Sequence, residues 1–358
     1  ESARAPTERF IDRFSRIYMP AVVGVAVLVA IVPPLAFGQG WDTWIYRALA
    51  LLLIGCPCAL VISVPASIAS ALSSGARRGL LMKGGAVIEA AAATTHVAFD
   101  KTGTLTHGRP RVTDVVPISG SETEVLTLAA AVEAGSSHPL AEAILSRAEA
   151  AGAPFLAATA AKALPGKGAE AVVEGETAWV GSPRFAEERG VLDDHARGAV
   201  VGMEYEGKTV VAVFRRSRLV GLVALRDEPR EDAARAVQQL KALGIASVML
   251  TGDNRRTATA ISAGLGIEHR AELMPEDKVA AIREMTATGH VMMVGDGIND
   301  APALATAHIG VAMGSGTDVA LETADAAILR NRVTDVAGKI RLARAAMANI
   351  RQNVAIAL

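Results

Sequence analysis

Only two cysteines occur in 358 residues, Cys56 and Cys58, which excludes a disulfide framework. Residues two apart on a regular helix point to nearly opposite faces, so a bridge between these two is disfavoured as well. The formal net charge is −1, and no electrostatic footprint of a nucleic-acid binder is present. No secretory signal is legible. Arg4, Arg9, Arg13 and Arg16 precede the first apolar stretch, and that stretch is longer than a signal core of about 7–15 residues. No internal repeat is visible.

Half of the chain is hydrophobic (51%), and the apolar residues are gathered. Residues 17–38 and 48–72 carry no charge. As helices, each crosses a hydrocarbon core of about 30 Å. The sequence therefore predicts a membrane segment over 1–92, with spans at about 17–38 and 46–73. Arg77, Arg78 and Lys83 follow the second span, while the loop 39–47 holds one Asp and one Arg. Positive flanks on both outer sides put residues 75–351 in the cytoplasm. Trp41, Trp44 and Tyr46 cluster in the loop, where amphipathic rings favour the interface. The last residues, Asn353 to Leu358, are apolar and uncapped and read as the start of a further span. Both ends look like mid-protein sequence, and the expected setting is a multi-pass plasma (inner) membrane protein.

Three short apolar runs end on acids: H-V-A-F-D at Asp100, A-S-V-M-L-T-G-D at Asp253 and H-V-M-M-V-G-D at Asp296. Each reads as a buried parallel strand, and 308–313 and 325–329 add two more. Helical patterns fall between, at about 230–243, 254–265 and 275–286. Alternation of this kind predicts an α/β fold with a doubly wound parallel sheet, whose ligands sit at the carboxyl ends of the strands. Residues 115–222 interrupt the pattern with helical periods at 122–132 and 140–150 and four strand-like runs. They are expected to form an inserted α+β domain, in which 151–168 reads as a loop. The sheet domain then comprises 93–114 and 223–335, and 336–358 links back to the membrane.

The sharpest local signal is Asp100-Lys101-Thr102-Gly103-Thr104-Leu105-Thr106. A carboxylate at a strand end can attack the γ-phosphate of ATP and form an acyl phosphate. That attack brings anions together, so cations must offset the charge. Asp296 and Asp300, in G-D-G-I-N-D, supply oxygens for Mg²⁺, a hard ion. Lys278, in P-E-D-K, can reach the phosphate, and Thr251-Gly252-Asp253 adds a hydroxyl and a backbone N–H. Phosphatases of this architecture often carry a second Asp two residues after the nucleophile. Here that position is Thr102, so the acyl phosphate should persist.

D-K-T-G-T-L-T, T-G-D and G-D-G-I-N-D, in this order, resemble the phosphorylation domain of P-type ATPases, within the haloacid-dehalogenase-like superfamily. The resemblance covers essentially the whole chain. It implies phosphorylation of Asp100, with Lys101, Thr102, Thr251, Gly252, Asp253, Lys278 and Asn299 as catalytic partners. It assigns Mg²⁺ to Asp296 and Asp300, with Asp100 and Thr102, and makes Asp227 a hinge acid. Ser137-His138-Pro139-Leu140, with Glu133 upstream, resembles the nucleotide signature of the heavy-metal branch. Gly166 and Gly168 match its second ATP element, and Gly181 a third, although Ser182 stands where some members have Asn.

Cys56-Pro57-Cys58 lies near the middle of the second predicted span. Pro57 has no N–H for Leu53, so a helix must kink or unwind there. Thiolates are soft ligands that favour Zn²⁺ or Cu⁺ over Mg²⁺ or Ca²⁺. The motif resembles the transport site of heavy-metal pumps, and its surroundings, L-L-L-I-G-C-P-C-A-L-V-I-S-V-P-A, look like the zinc/cadmium/lead branch. The implied activity is ATP-driven export of a soft divalent metal across a lipid membrane, with ATP and Mg²⁺ as cofactors. A Cu(I) exporter is the alternative within the class, and a membrane-anchored phosphatase or an inactive metal sensor the alternatives outside it. The T-G-E signature of these pumps is not found in this chain.

Overall fold

Apolar runs buried on both faces cannot alternate in and out, and they form the centre of a parallel sheet. The computed structural model describes residues 5–55, 58–136, 138–296 and 300–357. It divides into two units, 1–94 with 325–327 and 338–358, and 95–324 with 328–337.

The first unit holds the helices Pro6–Phe37, Trp41–Gly55 and Cys58–Arg77, the short strand β1 (Leu80–Met82) and the helix Gly85–Ala93. Among the described residues one helix, Pro6–Phe37, is long and apolar enough to cross a membrane. Its aliphatic side chains are largely exposed, Leu28 and Leu35 among them, as a lipid-facing surface requires. The second expected span is divided between Trp41–Gly55 and Cys58–Arg77. Cys56 and Pro57 lie outside the described residues, as does the side chain of Cys58. Glu89 ties the N-terminal helix down by accepting from the Thr7 N–H (3.2 Å) and hydroxyl (3.1 Å). Lys339 is fully buried, with its Nζ 3.4 Å from the Leu81 carbonyl.

In the second unit β2 (His96–Asp100) leads into an inserted sheet. Its strands are β3 (Arg111–Pro117), β4 (Ala158–Leu164), β5 (Gly168–Val173), β6 (Glu176–Gly181), β7 (Thr209–Arg215) and β8 (Arg218–Arg226). The order is β3-β8-β7-β6-β5-β4, antiparallel throughout. One face packs on the helices Glu122–Glu133 and Pro139–Ala150, around Val125, Leu128 and Ile144. The other packs on Pro183–Glu188 and Asp194–Tyr205, around Phe185, Val200 and Phe214. The inserted sheet thus begins at Arg111 and ends at Arg226, four residues outside the expected 115–222 on each side. The stretch 151–168, read as a loop, contains β4.

The chain then returns to the first sheet with β9 (Ala246–Leu250), β10 (Glu268–Arg270), β11 (Val291–Gly295) and β12 (Ile309–Met313). Parallel pairing gives the order β12-β11-β2-β9-β10. The register sets Asp100 opposite Leu250. The acid ending β2 and the loop leaving β9 are therefore neighbours at one rim. The helices Ala233–Ala242, Arg255–Leu265 and Pro275–Thr286 separate these strands as their periodicity predicts.

Candidate phosphoryl-transfer site

Strand β2 carries Asp100 to the rim, where it is 5% exposed. Thr102 stays extended (φ −74°, ψ 129°), and Gly103 turns into the left-handed region at φ 72°. A Cβ on Gly103 would lie 1.4 Å from Asp296 Oδ2. Glycine is the residue that lets the two acid-bearing loops close on each other.

One oxygen each from Asp100, Asp296 and Asp300 lie within 4.8 Å of one another. Lys278, from the helix Pro275–Thr286, donates to Asp100 Oδ1 and to Asp300 Oδ1, the latter at 2.9 Å. Beside this group, Lys101 Nζ meets Asp253 Oδ2 at 2.6 Å, and the Asp253 N–H donates to Thr251 Oγ1 at 3.1 Å. Five expected residues from four separate segments thus form two neighbouring ion-paired groups, Lys278 with Asp100 and Asp300, and Lys101 with Asp253. Asp296 completes the triad of acids. Thr102 is half-buried between Lys101 and Gly103, and Asn299 lies outside the described residues.

The cluster is short of positive charge. Burial, followed by repulsion from Asp300, raises the Asp100 pKa to about 7 in spite of Lys278. Burial and Asp300 raise Asp296 to about 6. Burial opposes the charge on Lys278, yet Asp100 and Asp300 hold its proton and raise its pKa. Three hard carboxylate oxygens with this unmet demand for a cation suit Mg²⁺.

A stability prediction follows from these directions. Unfolded aspartates titrate near 3.9, so the folded, metal-free protein holds protons that the unfolded chain has released. Stability should therefore fall as pH rises from about 4 to about 7 and level off above about 8. Thermal melts without Mg²⁺ should show Asp100→Asn gaining on the native chain across that window and exceeding it at pH 8. Parallel pH profiles for the two proteins would contradict the assignment.

Two supporting groups frame the cluster. Asp227 accepts from the Thr106 hydroxyl (2.5 Å) and from the Gly108 and Arg109 N–H groups (3.2 Å each). It binds together the two chain crossings between the sheet domain and the insertion. Arg230 donates to the carbonyls of Gly103 (2.8 Å), Thr104 (3.0 Å) and Asn331 (3.1 Å), clamping the turn after Asp100. No sequence motif singles out Arg230. Its place four residues past the last inserted strand, behind Glu228 and Pro229, is the signal that could have drawn attention to it.

The expected nucleotide residues fall into two groups within the insertion. Glu133 ends its helix, buried, and burial raises its pKa against a hydrogen bond from Ser136. Nearby His138 caps the helix beginning at Pro139, its Nδ1 accepting the Leu140 N–H at 3.2 Å. In the neutral ring the proton is then on Nε2, which remains a donor. The second group surrounds the turn between β4 and β5. Gly168 and Gly181 face each other across β5 and β6. A Cβ on Gly168 would lie 2.1 Å from the Val180 carbonyl oxygen, and one on Gly181 2.8 Å from the Phe185 ring. Both glycines therefore have a packing requirement of their own. Gly166, at φ 71°, has no such neighbour; a Cβ there would come no nearer than 3.9 Å, to Met274 Cε.

A sequence profile of haloacid dehalogenase-like hydrolases matches residues 94–308. The chain is 55% identical over 363 residues to the zinc/cadmium/lead-transporting P-type ATPase of Escherichia coli (strain K12), covering 100% of this chain and 48% of that protein. It thus spans about half the length of the curated relatives it matches. The crystal structure of a zinc-transporting PIB-type ATPase in the E2.Pi state superposes with a TM-score of 0.73 at 54% identity, covering 99% of this chain and 58% of the other. A catalytic CPx-ATPase domain, CopB-B, gives 0.60 at 30% identity, covering 75% of this chain and 98% of the domain.

Proposed function

Since the chain belongs to the P-type ATPases of the haloacid dehalogenase-like family, we propose that the full-length protein exports zinc, cadmium or lead across a membrane, driven by ATP through an aspartyl-phosphate at Asp100. The observation that carries the reading is Lys278 set between Asp100 and Asp300, with Asp296 alongside, at the carboxyl ends of parallel strands.

In the reaction an Asp100 carboxylate oxygen attacks the γ-phosphorus of ATP. The bond from that phosphorus to the bridging oxygen breaks, ADP departs with the electron pair, and the acyl phosphate remains. Lys278 offsets the charge of the approaching anions, and the Thr251 hydroxyl stands beside the Asp253–Lys101 pair that borders the phosphoryl position. Mg²⁺, when bound by the three aspartates, supplies the remaining charge neutralisation. Thr102 offers no carboxylate to activate water, so the acyl phosphate outlives its formation and can be coupled to transport. ATP is held in the insertion by Glu133, His138, Pro139 and the turn at Gly166.

Cys56 and Cys58 are the ligands proposed for the transported ion, since thiolates select soft metals. The exposed apolar surface of Pro6–Phe37, with Arg9, Arg13 and Arg16 in its first turns, and Arg77, Arg78 and Lys83 further on support a multi-pass inner-membrane setting with the catalytic domains in the cytoplasm. In the full-length protein, Zn²⁺ and Cd²⁺ should stimulate ATP hydrolysis. Cys56→Ala and Cys58→Ala should each remove that stimulation while leaving Mg·ATP affinity intact, because the two sites belong to separate parts of the chain. Stimulation by Cu⁺ alone would replace this reading with a copper exporter. Rapid spontaneous loss of the phosphate from Asp100 would favour a phosphatase.

A further inference from the structure

Glu204 closes the helix Asp194–Tyr205 in the insertion, and its side chain is 3% exposed. A carboxylate so buried must be partnered. Both its oxygens are engaged by the sheet domain: Oε1 accepts from Asn254 Nδ2 at 2.9 Å, and Oε2 from Arg256 Nε at 2.5 Å. Asn254 directly follows Asp253, the partner of Lys101. Its Oδ1 caps the helix Arg255–Leu265 by accepting the Thr257 N–H at 3.0 Å. The fully buried Thr257 hydroxyl donates to the Lys208 carbonyl at 2.8 Å, a second tie to the insertion. Gly207 lies against the same helix, where a Cβ would meet Ile261 at 3.6 Å and Ala260 at 3.7 Å. In the same arrangement the turn at Gly166 sits beside Met274, one turn of helix ahead of Lys278.

We propose that Glu204 is a positioning residue for phosphoryl transfer: by gripping Asn254 and Arg256 it fixes the insertion to the Thr251–Asp253 loop and holds the nucleotide turn toward Asp100. The two covalent crossings at 106–110 and 226–230 act as a hinge that Asp227 stiffens. A hinge alone leaves rotation free. The Glu204 grip is a separate attachment, made by side chains distinct from the two crossings, and restrains that freedom; holding reactants in place is worth orders of magnitude in rate. This inference rests on the reading of Asp100 as the phosphoryl acceptor and of the insertion as the ATP carrier.

The test compares two phosphoryl donors on this chain. Mg·ATP is delivered by the insertion, whereas acetyl phosphate reaches Asp100 without it and releases acetate. Glu204→Gln, which keeps the volume but loses the charge, should slow acyl-phosphate formation from saturating ATP by about tenfold. Its ATP Kd and its rate with acetyl phosphate should be unchanged. Arg256→Gln, at a side chain 46% exposed and tolerant of change, should slow the ATP reaction too. The double variant should be no slower than Glu204→Gln alone, because both remove one grip. Undiminished ATP-driven phosphorylation, an equal loss with both donors, or a loss confined to ATP affinity would each overturn the proposal. Absence of label from both donors in the unaltered chain would instead bring down the acceptor reading on which it rests.

Discussion

Gly103→Ala is expected to lower phosphoryl transfer from Mg·ATP by about 10²-fold or more. The added methyl would stand 1.4 Å from Asp296 Oδ2, and the φ of 72° is itself unfavourable for alanine. Either Asp296 withdraws or the Lys101–Leu105 turn shifts, and both spoil the triad of acids. Rapid-quench measurement of acyl-phosphate formation reads the rate. The apparent Mg²⁺ affinity should weaken in the same variant, while ATP binding to the insertion stays. Normal Mg²⁺ dependence together with a normal rate would show that the close approach of Gly103 and Asp296 has no part in the chemistry.

Lys278→Met should reduce the same rate by about 10²–10³-fold, the range seen when one preorganised charge-stabilising donor is removed. The stability effect depends on pH. With Lys278 gone, Asp100 and Asp300 face each other at side-chain exposures of 7% and 3%. Breaking a buried pair of this kind costs about 3–5 kcal/mol when the orphaned charge cannot be neutralised. Here Asp100 already has its pKa raised to about 7 and can take a proton. Methionine should therefore be tolerated below about pH 6 and become strongly destabilising above about pH 8. Melting curves at the two pH values measure the difference, and a pH-independent loss would contradict the account of Lys278 as the cation shared by two acids.

The parts of the fold that were legible in the sequence are those where one physical demand dominates. Strands β2 and β11 are buried on both faces and so are nearly unbroken apolar runs, β9 is buried toward its Met249–Leu250 end, and each ends at the rim where polar residues resume. The helix Pro275–Thr286 shows both ends, Pro275 at its first position and a polar stretch beyond. Strand β4 was illegible because A-T-A-A-K-A-L is alanine-rich, exposed and at a sheet edge, so neither β-propensity nor alternation marks it. Its flanking Gly and Pro made it read as loop.

The site divides in the same way. Asp100, Asp253, Asp296 and Lys278 announce themselves because chemistry sets their type and spacing together. Arg230 and Glu204 act through backbone carbonyls and through a partner about fifty residues away, and their local sequence is that of any charged surface. Gly168 was legible as a glycine that must stay small, but the carbonyl of Val180 accounts for it before any nucleotide does. Cys56 and Asn299 fall outside the described residues, so their roles stand on the sequence.

The central claim is that Asp100 accepts phosphate from ATP. Incubation of this chain with γ-labelled Mg·ATP, acid quenching and mass mapping of the labelled peptide tests it most directly. The account predicts an acid-stable, hydroxylamine-sensitive phosphate on Asp100 that is absent from Asp100→Asn, whose amide is not a competent nucleophile. Label on any other residue, or undiminished label in Asp100→Asn, would contradict it.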